Sequence, residues 1–296
     1  MMTDSNDTGP FPSAREDVAT AESVPPETPQ TASPAYRLAF GDEDFLLRPD
    51  LRPVRLQLEL LKPEVLQQEQ GIRSTIAMFG SARIPDAETA ALKLEAAEAA
   101  ARAKPKDKIA ARDLTIARRM LANARYYEEA RRLAQIVTST CGGERVCDFV
   151  VKTGGGPGIM EAANRGAFEV GGKSIGLNIV LPMEQSPNRY VTPELCFRFH
   201  YFAIRKMHFM MRAKAVAVFP GGFGTLDEMF EALTLIQTKR MERILLILFA
   251  EKFWRSIINF EALADFGTIA PEDIDLINFV ETADEAWKVI QDFYEK

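Results

Sequence analysis

Cysteine, histidine and tryptophan are scarce in this chain of 296 residues, which holds three, two and two of them. Cys141, Cys147 and Cys196 are an odd number without metal-ligand spacing, so neither a disulfide framework nor a zinc module is indicated. They read as reduced thiols of a cytosolic protein. His200 and His208 lie eight apart and are too few for a histidine metal site. No apolar run approaches the ~18 residues of a membrane-spanning helix. The first basic residue, Arg15, is followed by no apolar stretch, which is not the pattern of a secretory leader. A large excess of one charge is also missing from most of the chain. Of the net charge of −6, −5 falls within residues 1–36, where six acids face one base. The near-neutral remainder argues against a broad basic face for nucleic acid. What is present, 47% hydrophobic and 26% charged residues, is ordinary for a globular chain of one or two domains with a sizeable core.

Residues 1–36 carry six of the 17 prolines, many Ser and Thr, and no aliphatic periodicity. Such a composition cannot bury enough apolar surface to offset ordering, and it predicts a disordered tail. Residues 37–73 read as an N-terminal arm with a helix over Pro53–Gln70, where Leu56, Leu60 and Leu61 recur at helical spacing. The domain proper is expected over 74–296. There, short apolar runs alternate with helical segments: Thr75–Phe79, Asp148–Lys152, Ser174–Leu181, Ala215–Phe219, Ile244–Phe249 and Ile277–Val280. Nearly continuous Val, Ile, Leu and Phe are expected of strands covered on both faces. The alternation predicts an α/β fold with a doubly wound parallel sheet, whose ligand site lies in the loops after the strands. The first crossover is long. It predicts a helical insertion over about 86–136, with helices at Glu88–Ala103 and Ile109–Ile136 separated at Pro105. This element reads as packing or assembly material.

Two glycine-rich loops each follow a strand and open a helix. One runs from Lys152 through Gly154, Gly155, Gly156, Pro157 and Gly158 to Glu161. The other runs from Phe219 through Pro220, Gly221, Gly222, Phe223, Gly224 and Thr225 to Glu228. Glycines let several amide N–H groups converge on one anion, and the following helix N-terminus adds partial positive charge. A phosphate is the natural guest, although each loop alone is also explained as a tight turn. A dinucleotide fingerprint would need glycine where Ile159 stands. Gly172-Lys173-Ser174 imitates the end of a Walker A motif but lacks its first glycine and follows a helix.

The segment Pro220-Gly221-Gly222-Phe223-Gly224-Thr225-Leu226-Asp227-Glu228 resembles the PGGxGTxxE signature of the Lonely Guy family. Gly154 to Asn164 resembles that family's other glycine motif, Gly80-Ser81-Ala82-Arg83 its first-strand loop, and Arg205-Lys206 its Arg-Lys pair. The likeness covers about residues 73–255. The long insertion and arm resemble bacterial long-form members. The resemblance implies a Rossmann-like fold and a phosphoribohydrolase that cleaves nucleoside 5′-monophosphates, AMP or an N6-modified (cytokinin) nucleotide, to free base and ribose 5-phosphate. It implies neither metal nor organic cofactor, and assembly as a homodimer or higher oligomer. Proteins with this signature are often labelled lysine decarboxylases. Nothing in the sequence marks a pyridoxal phosphate site.

The same resemblance assigns roles. Glu228 would stabilise the oxocarbenium-like sugar and handle the attacking water, and Arg205 would orient substrate or leaving base. The spacing Thr225-Leu226-Asp227-Glu228 is equally that of a helix capping box, which needs no catalysis. Gly221, Gly222, Gly224 and Thr225 would hold the phosphate, with Gly154, Gly155 and Gly156 lining the same cleft. Lys206, Glu184 and Thr234 are further implied contacts, and Ser81 with Arg83 stands near the nucleotide. For Arg205 and Lys206 the plain alternative is two solvated bases on a helix. For Phe202, Met207, Phe209, Met210 and Met211 it is core packing. A rival to the enzyme is a nucleotide-binding carrier or sensor on the same fold.

Overall fold

The computed structural model describes residues 12–140, 148–182 and 186–294. Two compact units divide the chain, Met1–Glu59 and Leu60–Lys296. In the first, α1 (Ala14–Glu22) lies where composition predicts a disordered tail. It buries no residue. A capping box holds its start: Ser13 Oγ accepts from the Glu16 amide while the Glu16 carboxylate accepts from the Ser13 amide. Local capping, which needs no apolar periodicity, makes this helix. A short α2 (Glu43–Leu46) follows; α3 (Arg52–Glu69), close to the expected helix, has residues in both units.

The second unit is a seven-stranded sheet in the order β4-β3-β2-β1-β5-β6-β7, with every described pairing parallel. The strands are β1 (Thr75–Phe79), β2 (Val150–Thr153), β3 (Ser174–Ile179), β4 (Cys196–Phe199), β5 (Ala213–Val218), β6 (Leu245–Phe249) and β7 (Ile277–Val280). Six match the apolar runs to within a few residues. β4 escapes that criterion because Phe197 and Phe199 are buried while Arg198 between them is exposed. That is the alternation of a four-residue edge strand, too short to register as an apolar run.

Helices cover both faces. Ile76, Met78, Ala215, Ala217, Leu245 and Ile247 face one core, with α6 (Arg125–Ser139), α7 (Ile159–Glu169) and α12 (Ala283–Tyr294). Ala77, Phe79, Val216, Val218, Leu246 and Leu248 face the other, with α8 (Phe202–Met210), α9 (Phe223–Gln237) and α10 (Glu251–Ile257); α11 (Phe260–Asp265) adds Phe260. Successive side chains point to opposite faces, so two covered faces demand an unbroken apolar run.

The long crossover holds three helices where the sequence predicts two: α4 (Ala87–Ala103), α5 (Lys108–Asn123) and α6. The break at Ala124 is made by slipped hydrogen bonds, Ala124 N–H to Leu121 O and Tyr127 N–H to Ala124 O. Ala124 keeps helical dihedrals, φ −60° and ψ −24°, so neither glycine nor proline signals it. α6 also buries Tyr126, Tyr127, Ala130, Leu133, Ala134 and Val137 in the sheet's core. It belongs to the α/β layer, and only α4 and α5 stand apart as a hairpin. No helix among the described residues is long and apolar enough to cross a membrane.

Strand order reverses beside β1: β2, β3 and β4 follow to one side and β5 returns on the other. The loops after β1 and β5 therefore diverge and leave a crevice at the carboxyl ends of the strands.

Candidate active site

Three loops meet at that crevice and are stitched by backbone. Ser81 N–H donates to Pro220 O at 3.0 Å, and Ile159 N–H donates to Ser81 O at 3.2 Å. The β1 loop is thus tied to both glycine loops. Gly158, at φ +69°, allows the tie, because a Cβ there would collide with the Ser81 carbonyl. Gly158→Ala combines that clash with a left-handed backbone. We expect it to lower stability by about 2 kcal/mol or more, read as a lower urea midpoint at unchanged slope.

The cleft has a volume of about 310 Å³. Of the sequence-derived candidates, Ser81, Gly154, Arg205, Gly222, Gly224, Thr225 and Glu228 line it. Arg205 reaches it from the first half of α8. Its Nε donates to Leu177 O of β3 at 2.7 Å, and its guanidinium lies 4.9 Å from the Phe209 ring centre. Gly154 leaves room for this, since a Cβ would come within 2.8 Å of Arg205 Nη2.

Glu228 is 6% exposed. Arg205 Nη1 stands 3.7 Å from its Oε1, close enough for attraction and too far for a hydrogen bond. Glu228 Oε2 is buried with no hydrogen-bond partner. Burial pushes the carboxyl up to about 7, against the opposing pull of Arg205 and Lys206 and with the help of Glu231 and Asp227. The same burial holds the Arg205 guanidinium below its ordinary value. The capping-box alternative for Glu228 fails. α9 begins at Phe223 with Gly222 as its N-cap, so Thr225 is already helical and Glu228 lies nearly a turn further in. Leu226 N–H is the first to bond back, to Gly222 O. The preceding amides of the turn have no intrahelical partner.

Other candidates stand elsewhere. Gly155 and Gly156 belong to the loop but not to the cleft wall; their carbonyls accept from Asn188 Nδ2 at 3.1 and 3.0 Å. Gly221 packs under the Thr225 side chain. Lys206 Nζ donates to Asp227 Oδ1 at 3.0 Å and lies 3.2 Å from Glu231 Oε2, so neighbouring carboxylates hold its charge. The Thr234 hydroxyl donates to Phe230 O, and Thr234 lines a separate groove with Leu233 and Phe260. Glu184 lies outside the described residues, as do Cys141 and Cys147.

Sequence reasoning missed Asn188 and Met160. Asn188 Nδ2 also donates to Asn164 Oδ1, which accepts from Thr153 Oγ1, making a buried polar brace beneath the first glycine loop. Nothing in the order of residues pairs 188 with 164. Met160, Phe202 and Phe209 give the cleft an apolar side.

A family model described as "Possible lysine decarboxylase" matches residues 160–290. Cytokinin riboside 5′-monophosphate phosphoribohydrolase LOG1 of Arabidopsis thaliana is 28% identical over 148 residues, 49% of this chain and 68% of that protein. In sequence the chain is similar to a Lonely Guy protein. A solved structure, the Moco carrier protein of Chlamydomonas reinhardtii, is similar at 16% identity and a TM-score of 0.45, over 75% of this chain and 98% of that one.

Proposed function

We propose that this chain hydrolyses the N-glycosidic bond of nucleoside 5′-monophosphates, AMP or N6-modified AMP, to free base and ribose 5-phosphate. The observation that carries this reading is Glu228: a buried carboxylate with one unpartnered oxygen, opposite Arg205, in a cleft that also holds the open amides of α9. The phosphate takes the amides around Gly222 and Gly224 with the Thr225 hydroxyl. The base takes the apolar side at Phe202, Phe209 and Met160. Fixing the phosphate far from the reacting bond orients the ribose before reaction. The bond from C1′ to the base nitrogen breaks with its electron pair going to the base, where Arg205 offers N–H donors. The Glu228 carboxylate faces the positive charge developing on the sugar, and water adds at C1′. Glu228 takes the proton of that water and passes it, directly or through solvent, to the departing base, which regenerates the carboxylate. The relation to LOG1, whose name describes this reaction class, supports the same reading.

The decarboxylase description asks for a lysine able to form a Schiff base with pyridoxal phosphate. The residues do not fit. No lysine lines the cleft among the described residues, Lys206 is held by Asp227 and Glu231, and Lys152 Nζ is buried against His208 O.

Incubation of the purified protein with AMP, followed by chromatography, tests the proposal. Equimolar adenine and ribose 5-phosphate are expected, with adenosine a poor substrate. Equal turnover of adenosine and AMP would remove the phosphate-anchoring argument. No cleavage of any nucleoside monophosphate would overturn the reading.

A further inference from the structure

Four charged side chains line the cleft: Arg83, Arg205, Asp227 and Glu228. Three are accounted for. Arg205 faces Glu228 at 3.7 Å, and Asp227 accepts from Lys206 at 3.0 Å. The Arg83 guanidinium has no hydrogen bond or ion pair among the described residues, whereas Arg131, Arg165, Arg212 and Arg255 each bind a carboxylate. Among the described residues, Arg83 is the uncompensated charge of this cleft.

Its backbone is nevertheless fixed. Arg83 N–H donates to Ser81 Oγ at 3.1 Å, a local turn that sets where the side chain leaves the chain. Ser81 N–H is bonded to Pro220 O, immediately before the glycines that open α9. An exposed cation on a tethered loop therefore lines the same cleft as the amides assigned to the phosphate. A guanidinium presents paired N–H donors that match two oxygens of a phosphate, and a terminal phosphomonoester has oxygens for both the amides and that fork. Ribose hydroxyls and adenine carry no negative charge for that fork to neutralise.

We infer that Arg83 is the residue by which this site selects a phosphomonoester over the corresponding nucleoside, binding the phosphate together with the α9 amides. The inference rests on the nucleotide reading above, but not on turnover. Because Arg83 is exposed and its side chain bonds nothing among the described residues, Arg83→Gln should fold with an unchanged melting temperature. Calorimetric titration with AMP, ribose 5-phosphate and adenosine compares parent, Arg83→Gln and Arg83→Lys. Arg83→Gln is expected to weaken AMP and ribose 5-phosphate by about tenfold to a hundredfold, with adenosine binding unmoved. Arg83→Lys should restore part of the loss, as a point charge without the fork. In turnover the loss falls on KM and spares kcat. Unchanged AMP and ribose 5-phosphate affinity in Arg83→Gln would overturn the inference, as would an equal loss for adenosine or a parent that binds no AMP. A parent that binds AMP without cleaving it, with the Arg83→Gln shift intact, would leave this inference standing and remove the hydrolase reading.

Discussion

Glu228→Gln is expected to reduce kcat for AMP by about a hundredfold to ten-thousandfold while AMP still binds. The amide keeps the shape of the carboxyl, so the packing that makes Glu228 6% exposed is preserved. What disappears is the negative charge opposite the developing cation and the oxygen that accepts the proton of water. Arg205 loses an attraction rather than a hydrogen bond, because the pair stands 3.7 Å apart. Binding of the phosphate at the α9 amides, as proposed above, should be untouched. Single-turnover measurement on bound AMP separates the two effects. A variant that retains turnover would remove Glu228 from the chemistry. A parent and a variant that bind AMP equally and cleave nothing would describe a carrier or sensor. The acidity of the group adds a sign. Burial pushes Glu228 up to about 7, and the base role needs its ionised form. The parent's kcat/KM should therefore rise with pH through about 7 and then level. A rate that falls over the same range would instead mark Glu228 as a proton donor.

Much of this candidate site is legible in the sequence alone, for a physical reason. A phosphate cradle after a strand needs glycines, a helix start and a following acid within about ten residues, and such local demands leave a mark in the order of residues. Ser81, Gly154, Gly222, Gly224, Thr225, Arg205 and Glu228 meet in one cleft because the strand order reverses beside β1. Features that depend on distant partners left no mark. The Asn188–Asn164–Thr153 brace joins residues 24 and 11 apart in sequence. Lys206 looks like a nucleotide contact until Asp227 and Glu231 are seen to hold it. Thr234 shares the helix of Glu228 but opens on another groove, since six residues along a helix turn the side chain well away. Local devices can also defeat composition: the Ser13–Glu16 capping box sets a helix in a segment whose prolines and acids predict none.

Lys152 gives the second large expectation, a stability that grows with alkalinity. It sits on β2, immediately before the first glycine loop, and is completely buried. Its Nζ donates to His208 O at 2.7 Å, one of the last four carbonyls of α8, which have no partner within the helix. Loss of water around the ammonium pushes the group down to about 7, with Glu64 acting the other way and Arg212 reinforcing the fall. An unfolded lysine keeps its proton to about 10.5. Between those values the unfolded chain binds one proton more than the native one. Native stability from this group therefore rises with pH, by about 1.4 kcal/mol for each unit from about 7 to about 10. Below 7 both states hold the proton and the contribution is flat. Lys152→Met removes the titration and leaves the His208 carbonyl without its donor, a fixed cost of about 1–3 kcal/mol. Urea unfolding of parent and variant at pH 6, 7, 8 and 9 should give curves that run parallel up to about pH 7. Above it the parent gains on the variant by about 1.4 kcal/mol per unit. Curves that stay parallel to pH 9 would mean that Lys152 keeps its proton in the folded protein, and that Glu64 compensates for the water it has lost.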